Sequence, residues 1–454
     1  MEIAARWERF WGDSANRQVA RAAISVAAAG VLVKLIATVK EFSIAGLYGR
    51  SDAMDAFLAA SLIPALLVNL IAESMNQALI PTFIRVRTLQ GTRSAQQLLS
   101  STILLVTLLL AGAALIMAFA APAILPLIAS RYSPDKLLLV RHLFYALLPT
   151  VLLAGIAANC TAVLNTVGRF AAPALAPAVI PFLILLAAPL LAPHYGIWAL
   201  VLATVAGTLL HATLTAIMMR NRGFQFSLRW HGFNEPTREV ARQYSPVLLS
   251  SLVASSGLLV DQSMAAMLPP GSVSSLVYAG RFVSVLVALL AGAVSSAVTP
   301  HFSELVARRD WQGCHRSTKH WLRIMASISI PITVALILGA KWLIRTTFQH
   351  GAFTADDTAG VTPVLLMYSL QIPFFVTSRV YYRLILALRR TDIIFYCGLI
   401  NLGLDVLLNI VLMHWFGVPG IALATSLWTV ATLLFLAFWS RKLLNQRLLH
   451  GANA

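Results

Sequence analysis

Apolar stretches of about 20 residues follow one another along the whole sequence, and this is the length that a helix needs to cross a bilayer. Only 11% of the residues are charged and 59% are hydrophobic, whereas soluble domains carry about 25% charged residues. Because backbone polar groups inside lipid must be satisfied within the chain, such stretches form helices. We therefore predict an all-α polytopic membrane protein, and the composition excludes soluble, disordered and collagen-like chains.

Charge clusters and Pro or Gly breaks divide these stretches into twelve predicted transmembrane helices, six in each half. They cover residues 22–47, 53–80, 98–122, 138–163, 172–192, 196–219, 245–267, 274–302, 321–344, 361–385, 393–414 and 418–438. The predicted domains are an amphipathic N-terminus at 1–21, bundles at 22–219 and 245–438, a basic linker at 220–244 and a tail at 439–454.

The formal charge of +17 is better explained by the positive-inside rule than by nucleic-acid binding. Most basic residues lie in loops on the side that also holds both termini, because the number of predicted spans is even. The opposite loops hold Arg50, Arg131, Lys136, Arg141, Lys341 and Arg345. Both termini, the linker and the tail are therefore predicted to be cytoplasmic.

The three cysteines, Cys160, Cys314 and Cys397, are far apart and form no CxxC motif. This spacing predicts neither a disulfide framework nor a metal site. The sequence also has no nucleotide-binding motif. We therefore expect no cofactor, which leaves a coupling ion or the membrane potential as the source of energy.

The two halves of the chain repeat each other at a spacing of about 220 residues. ALIPTF at 78–83 matches AVTPHF at 297–302, and GIWALVLAT at 196–204 matches GVPGIALAT at 417–425. A third pair, VLNTVGRF and ILALRRT, falls in the same order. Since six spans per repeat is even, the repeats run parallel around a central cavity, as in transporters. We predict a transporter rather than an enzyme.

Several charged residues fall inside predicted spans, where each costs about 2.5–3.5 kcal/mol near the bilayer centre. They are Lys34, Lys40, Glu41, Asp55, Glu73, Asp261, Arg281, Arg379 and Asp405. Asp55, Glu73 and Arg379 lie near span ends, so an alternative explanation for them is a position at the membrane interface. The whole set indicates a water-filled cavity lined by protein.

Helical periodicity sorts these residues into faces. Asp55 and Glu73 share a face of the second span, with Asn69 close to it. Asn401, Asp405 and Asn409 form another polar stripe, for which polar contact between helices is the favoured interpretation.

Three cations, Lys34, Lys40 and Arg281, lie in the first and eighth spans. If the halves face each other, the three converge on an anion such as pyrophosphate, because guanidinium and ammonium groups both bind phosphate. The acids Glu41, Asp55 and Glu73 are predicted to line or gate the same cavity.

Four segments resemble the lipid II flippase family (MurJ/MviN), within the multidrug/oligosaccharidyl-lipid/polysaccharide (MOP) exporter superfamily. They are Ser51–Phe83 with its MDAF motif, Val163–Pro177, Gly271–Phe282 and the loop FQHGAFTADDT at Phe348–Thr358. The resemblance implies a bacterial inner-membrane flippase that moves undecaprenyl-pyrophosphate-linked saccharides to the outer leaflet by alternating access, in peptidoglycan or other polysaccharide biogenesis. It also implies that Lys34, Lys40 and Arg281 bind the pyrophosphate and sugar, while Asp55 and Glu73 match the family's acids.

Two departures from the family pattern leave the saccharide open between lipid II and an exopolysaccharide, capsule or O-antigen unit. Val68 and Asn69 stand where the family has arginine, and this chain is expected to lack two further C-terminal helices. The family has arginines where this chain has Lys34 and Lys40. Because lysine cannot form fork-like contacts to phosphate, this difference also favours a saccharide other than lipid II.

Two other functions compete with this prediction. A cation-coupled drug exporter of the MATE type predicts an acidic cavity, which the three cations argue against. A membrane polysaccharide polymerase needs a carboxylate pair or a large catalytic loop. The only adjacent acids, Asp356 and Asp357, lie in the family's loop motif and are interpreted as structural.

Overall fold

The computed structural model describes residues 14–166 and 171–452, and the regular elements in these ranges are helical. A π-helical segment covers Val68–Glu73, and a 3₁₀ turn covers Ala176–Ala178. The α-helices are α1 (Ser14–Tyr48), α2 (Asp52–Leu67), α3 (Ser74–Ile128), α4 (Pro134–Thr166), α5 (Ala171–Leu175), α6 (Val179–Tyr195), α7 (Trp198–Arg220), α8 (Glu235–Ala265), α9 (Ser272–Ala307), α10 (Trp311–Phe348), α11 (Ala355–Ser369), α12 (Gln371–Ala387), α13 (Thr391–Phe416) and α14 (Val418–Ala452). The predicted all-α polytopic fold is confirmed.

Within the described ranges, nine helices are long and apolar enough to cross a membrane. The predicted spans at 22–47, 53–80 and 245–267 are not among them. In the second of these predicted spans, α2 has only 16 residues before the π-helical segment begins. The count of twelve therefore stays a prediction.

Two breaks in the helices, one between predicted spans and one inside a predicted span, have a local cause in the backbone. Gly91 interrupts α3 with φ 84° and ψ 177°, so the element consists of two helical arms. A positive φ of this size suits glycine because it has no Cβ. The tenth predicted span is divided at Leu370 between α11 and α12. Pro373 has no N–H to donate to the carbonyl of Ser369, which favours a break there.

The described residues form two compact units. The first unit contains residues up to Ile44, Ala60–Ile124 and Leu138–Ser251. Its apolar core includes the fully buried side chains of Phe83 and Leu99. Large apolar side chains from α3 and α4 fill this core, since it is their burial that holds the helices of the unit together.

The second unit contains Ala45–Ala59, Leu125–Leu137 and the residues from Leu252 onward. Its core includes an aromatic group in which the ring of Tyr278 lies 5.2 Å from that of Phe348. Two short segments from the first half of the chain are therefore packed with the second half.

The loop that resembles the family motif packs inside the second unit. Ala352 donates its N–H to the Gly46 carbonyl at 2.7 Å, and a Cβ on Gly351 would lie 2.2 Å from the same oxygen. Thr354 and Asp357 form a capping box at the start of α11. This hydrogen bonding gives Asp357 a structural role in ending the loop and beginning the helix.

Two predicted features fall wholly or partly outside the described residues. The first 13 residues of the predicted N-terminal segment 1–21 lie outside them, and α1 begins at Ser14. Arg169 and Phe170 of the repeated VLNTVGRF motif also lie outside them. The predicted linker 220–244 corresponds to the end of α7, a loop and the start of α8.

Candidate functional site

Three of the predicted site residues lie on α1 in the first unit. Lys34 is exposed, and its carbonyl accepts a hydrogen bond from the Thr38 hydroxyl at 2.8 Å within the helix. The ammonium of Lys40 lies 2.8 Å from Oε1 of Glu41. Because Glu41 is only 3% exposed, its carboxylate needs a charged or hydrogen-bonding neighbour, and Lys40 supplies one.

Arg281 lies on α9 in the second unit and has an exposed side chain. It lines a cavity of about 360 Å³ formed by α8, α9, α11, α12 and α14. The other polar lining residues are Gln262, Ser284, Tyr368, Gln371 and Thr425. Arg281 therefore presents its charge at an internal cavity of this unit, whereas its predicted convergence with Lys34 and Lys40 stays a prediction.

Asp55 is 1% exposed and lies in the second unit, at the N-terminus of α9. Its carboxylate accepts hydrogen bonds from the backbone N–H groups of Gly271 at 2.7 Å and Ser274 at 2.9 Å. These N–H groups have no partner inside the helix, and the helix dipole favours a negative charge at this end. Asp55 is therefore held by α9 through two charge-assisted hydrogen bonds.

Further contacts surround this carboxylate. The Lys136 ammonium lies 3.8 Å from Asp55 and 2.5 Å from Asp52. Arg50 donates to the Gly271 carbonyl at 3.2 Å, and the Tyr278 hydroxyl donates to the carbonyl of residue 49 at 2.9 Å. We call Arg50, Asp52, Asp55, Lys136, Gly271 and Ser274 the α9 N-terminal network.

Tyr132 adjoins this network in the turn between α3 and α4. The Lys136 ammonium lies 3.8 Å from the centre of its ring. Burial raises the pKa of the Tyr132 hydroxyl well above its usual value, and the negative charges of Asp55 and Asp52 raise it further. This hydroxyl is buried without a hydrogen-bond partner in the described part of the chain.

A second group of acids lies deep in the second unit. The Asn409 amide donates to Asp261 at 2.8 Å and to Asp405 at 3.3 Å, and the Thr425 hydroxyl lies 3.2 Å from Asp261. Oδ2 of Asp405 and Oδ1 of Asn409 are buried and have no hydrogen-bond partner among the described residues. These four residues form what we call the buried acidic cluster, which is rich in oxygen acceptors and joins α8, α13 and α14.

The remaining predicted polar residues have separate surroundings. The Asn401 side chain accepts from the Thr432 hydroxyl at 3.0 Å and so links α13 to α14. Asn69 and Glu73 lie in the π-helical segment, and their side chains lie outside the described part of the structure. π-Helical turns are rare and often occur at functional sites.

Sequence reasoning missed several of these partners. Lys136 had a usable signal, because it is one of few basic residues in the loops opposite the termini. Asp261 was identified as a charge inside a span, but its pairing with α13 was not predicted. Gln262, Gln371 and Tyr132 carried no signal in the sequence, because uncharged polar residues are common near the ends of helices.

Comparison with known families decides the identity of the chain. A family described as "Lipid II flippase MurJ" matches residues 44–452. The chain belongs to the MurJ family. This confirms the family predicted from the MDAF and FQHGAFTADDT segments, and with it a lipid-linked saccharide flippase.

Individual members of the MurJ family are similar over most of their length. "Probable lipid II flippase MurJ" of Buchnera aphidicola subsp. Acyrthosiphon pisum is 25% identical over 434 residues, covering 94% of this chain and 84% of the relative. The Vibrio cholerae relative of the same name is 23% identical and covers 91% and 81%. These relatives agree with membership of a family of lipid-linked saccharide flippases.

Solved structures agree with this fold. The structure titled "Lipid II flippase MurJ, inward closed conformation" has a TM-score of 0.79 at 24% identity and covers 92% of this chain and 87% of that one. An inward-facing MATE transporter of the MOP superfamily has a TM-score of 0.74 at 14% identity, with coverage of 94% and 98%. The fold is shared by both families, and the match to the MurJ family makes the MATE alternative weaker.

Proposed function

We propose that this protein moves an undecaprenyl-pyrophosphate-linked saccharide from the cytoplasmic to the outer leaflet by alternating access, with both termini in the cytoplasm. The observation that carries the proposal is a guanidinium, Arg281, at a cavity within a transmembrane helix of a MurJ-family chain. A charge placed there is costly unless it has a function. The asymmetric distribution of basic residues supports the orientation of the termini.

Lys34, Lys40 and Arg281 bind the pyrophosphate in this proposal. Arg281 supplies a planar fork for two phosphate oxygens, and the lysines supply point charges. The Lys40–Glu41 ion pair supports a further role for Glu41, which is to hold the Lys40 ammonium in place and to lower the net positive charge of the site. A site that is too positive would hold the headgroup and slow its release.

Asp55 and Glu73 act in gating. The α9 N-terminal network supports a gate at the outer ends of the helices, because Asp55 there ties residues 45–59 to α9 through two backbone N–H groups. Opening of the outer side would break these bonds. Glu73, in the π-helical segment with Asn69, is assigned to the same polar face of the second span on helical periodicity alone.

The buried acidic cluster is the proposed site of a coupling cation. Asp261 and Asp405 share the Asn409 amide, and two of the oxygen atoms in the cluster have no partner among the described residues. Two neighbouring carboxylates in an apolar bundle repel each other unless a proton or metal cation neutralises them. Sodium or a proton moving down its gradient would then supply the energy for flipping.

The saccharide has two candidates. Lipid II is favoured by the family, and a repeat unit of an exopolysaccharide or O-antigen is favoured by lysine in place of arginine on α1. Replacement of an essential lipid II flippase in a depletion strain distinguishes them. Growth indicates lipid II, whereas lysis together with normal protein accumulation indicates a different saccharide.

A leaflet assay in proteoliposomes tests the flippase site. We expect Lys34→Ala and Arg281→Ala each to abolish translocation of the lipid-linked saccharide while the protein still inserts. The matched control is Arg308→Ala, because Arg308 follows the last residue of α9, is 62% exposed and pairs with Glu304 of that helix. Normal translocation by both site variants would remove the proposed mechanism.

A further inference from the structure

The loop between α7 and α8, residues 221–234, is fastened along its backbone to α3. Gln96 on α3 forms two hydrogen bonds with the backbone of Gln225: its amide donates to the carbonyl at 2.8 Å, and its Oε1 accepts the N–H at 3.0 Å. The Ser101 hydroxyl accepts the N–H of His231 at 3.1 Å. All of these residues belong to the first unit. The loop therefore runs close to α3 and does not project away from the unit.

These contacts fix the depth of the loop relative to the predicted spans. Ser101 lies in the first turn of the predicted span 98–122, and Gln96 lies just before it. The ring of Phe224 lies 5.6 Å from that of Phe83, which is buried and follows the predicted span 53–80 closely. Because a helix rises about 1.5 Å per residue, all three anchoring residues lie within about 5 Å of a span end. The loop is therefore at the level of the lipid headgroups.

Large apolar side chains of this loop face outward, although the loop belongs to no predicted span. Their exposed fractions lie between 41% and 65%, and the residues are Phe226, Leu228, Trp230 and Phe233. The rings of Trp230 and Phe233 are 4.9 Å apart and meet edge to face. Aromatic rings are enriched where the bilayer meets water, because part of the ring is apolar and part is polarised. At headgroup depth, the bilayer is the environment that covers these side chains.

The loop and the adjoining helix ends also carry an excess of positive charge. Their exposed basic residues are Arg220, Arg222, Arg229, Arg238 and Arg242. The acids between residues 220 and 244 are Glu235 and Glu239, and Glu239 forms an ion pair with Arg85. Basic residues next to an apolar surface are attracted to a bilayer that contains anionic lipids. An acidic protein would match the charge but would leave the four apolar side chains at headgroup depth unexplained.

We propose that this loop is a membrane-surface anchor for anionic phospholipids. Its four apolar side chains lie among the headgroups, and Arg222 and Arg229 bind the lipid phosphates. In the proposed orientation of the termini, the anchor lies on the cytoplasmic leaflet, whose anionic lipids give it a negative surface potential. The loop belongs to the first unit and the cavity at Arg281 to the second, so the inference does not depend on which lipid is transported.

A nitroxide label at position 228 tests the depth of the loop. Leu228→Cys is labelled in the full-length protein, whose native cysteines are buried, and reconstituted in vesicles of phosphatidylcholine and phosphatidylglycerol. We expect the label to collide more often with oxygen, which concentrates in lipid, than with a water-soluble nickel complex. Gln312→Cys is the matched control, because it is exposed and lies well before the predicted span 321–344. Its label should collide more often with the nickel complex.

Two results of this measurement would overturn the anchor. If the label at position 228 preferred the nickel complex as the control does, the loop would lie in water. If it collided rarely with both reagents, protein would cover the loop, as in contact with another segment or a second copy of the chain.

Binding of phospholipids to the protein in detergent tests the charges. The double variant Arg222→Gln with Arg229→Gln removes two cations and keeps polar side chains. We expect it to bind phosphatidylglycerol about tenfold more weakly and to change binding of phosphatidylcholine less than about twofold. Arg308→Gln is the matched control, because the charge of Arg308 is paired with Glu304. Equal losses for both lipids, or no loss for either, would contradict the proposal.

Two checks keep misfolding apart from loss of lipid binding. Both arginine side chains are exposed, so the double variant should unfold at the same temperature as the wild type. In the wild type alone, binding of phosphatidylglycerol should weaken as the salt concentration rises, because salt screens exposed charges. A wild type that binds phosphatidylglycerol no better than phosphatidylcholine at low salt would overturn the anchor and leave the proposed function unaffected.

Discussion

Two buried groups of acids in the second unit show how differently the same residue type is used. Asp55 in the α9 N-terminal network accepts two backbone N–H groups and has Lys136 nearby. Asp261 and Asp405 in the buried acidic cluster have no cation at salt-bridge distance among the described residues and share one amide. The carboxylate of Asp55 is surrounded by donors and a cation of the protein, whereas the pair formed by Asp261 and Asp405 lacks a cation among the described residues. This difference supports the proposal that the pair binds a proton or a cation and that Asp55 does not.

The largest expected effect is that of Asp55→Ala. It removes two charge-assisted hydrogen bonds and leaves Lys136 and the first turn of α9 without their buried partner, which costs about 3–5 kcal/mol. Unfolding in detergent measures this loss, and flipping should be lost as well. Asp52→Ala, on a side chain that is 61% exposed, should cost less than about 1 kcal/mol. If Asp55→Ala and Asp52→Ala lowered the free energy of unfolding by similar amounts, the special role of the buried Asp55 carboxylate would be contradicted.

We expect Asp261→Asn to change stability less than Asp55→Ala does, and to change the coupling of flipping to an ion gradient strongly. Removing one charge relieves the repulsion between Asp261 and Asp405, so the free energy of unfolding should change by less than about 1 kcal/mol. Flipping should slow about tenfold and lose its dependence on sodium or on pH. The assay measures initial rates across both gradients, with the exposed Asp135→Asn as control. A large loss of stability with unchanged coupling would show that Asp261 stabilises the fold, and it would contradict a role in cation binding.

The smallest expected effect is that of Tyr132→Phe, which removes a buried hydroxyl that has no partner in the described part of the chain. This should stabilise the protein by about 1 kcal/mol. Because the pKa of Tyr132 is raised in the folded state, its ionisation opposes folding, and stability falls as the pH rises above about 10. The variant should lose less stability than the wild type in that range. Tyr195→Phe, on a 56% exposed side chain, serves as control.

The sequence allowed the helical architecture and the family to be predicted, because apolar length and local motifs are properties of contiguous residues. It also identified Lys34, Lys40, Arg281 and Asp55 as charged residues within predicted spans, and their roles stay predictions. What it did not predict are contacts between distant residues. Gly271 lies 216 residues from Asp55 and shares no pattern with it.

The buried acidic cluster shows the same limit. Asp405 and Asn409 were identified as a stripe on one helix, but their contact with Asp261, which is 148 residues from Asn409, depends on how helices pack. Gln262 and Gln371 gave no signal at all, since only a cavity makes an uncharged amide conspicuous. These partners come together through tertiary packing, and no short stretch of the sequence shows how the helices pack.

In the proposed mechanism, cations within the membrane-spanning helices bind the diphosphate of the lipid. The most direct measurement is the affinity of Lys34→Ala and Arg281→Ala for undecaprenyl pyrophosphate, with Arg308→Ala alongside. We expect both site variants to bind at least about tenfold more weakly, since a charge-assisted hydrogen bond contributes about 1.5–3 kcal/mol, while Arg308→Ala binds as the wild type does. Wild-type affinity in both site variants would contradict it.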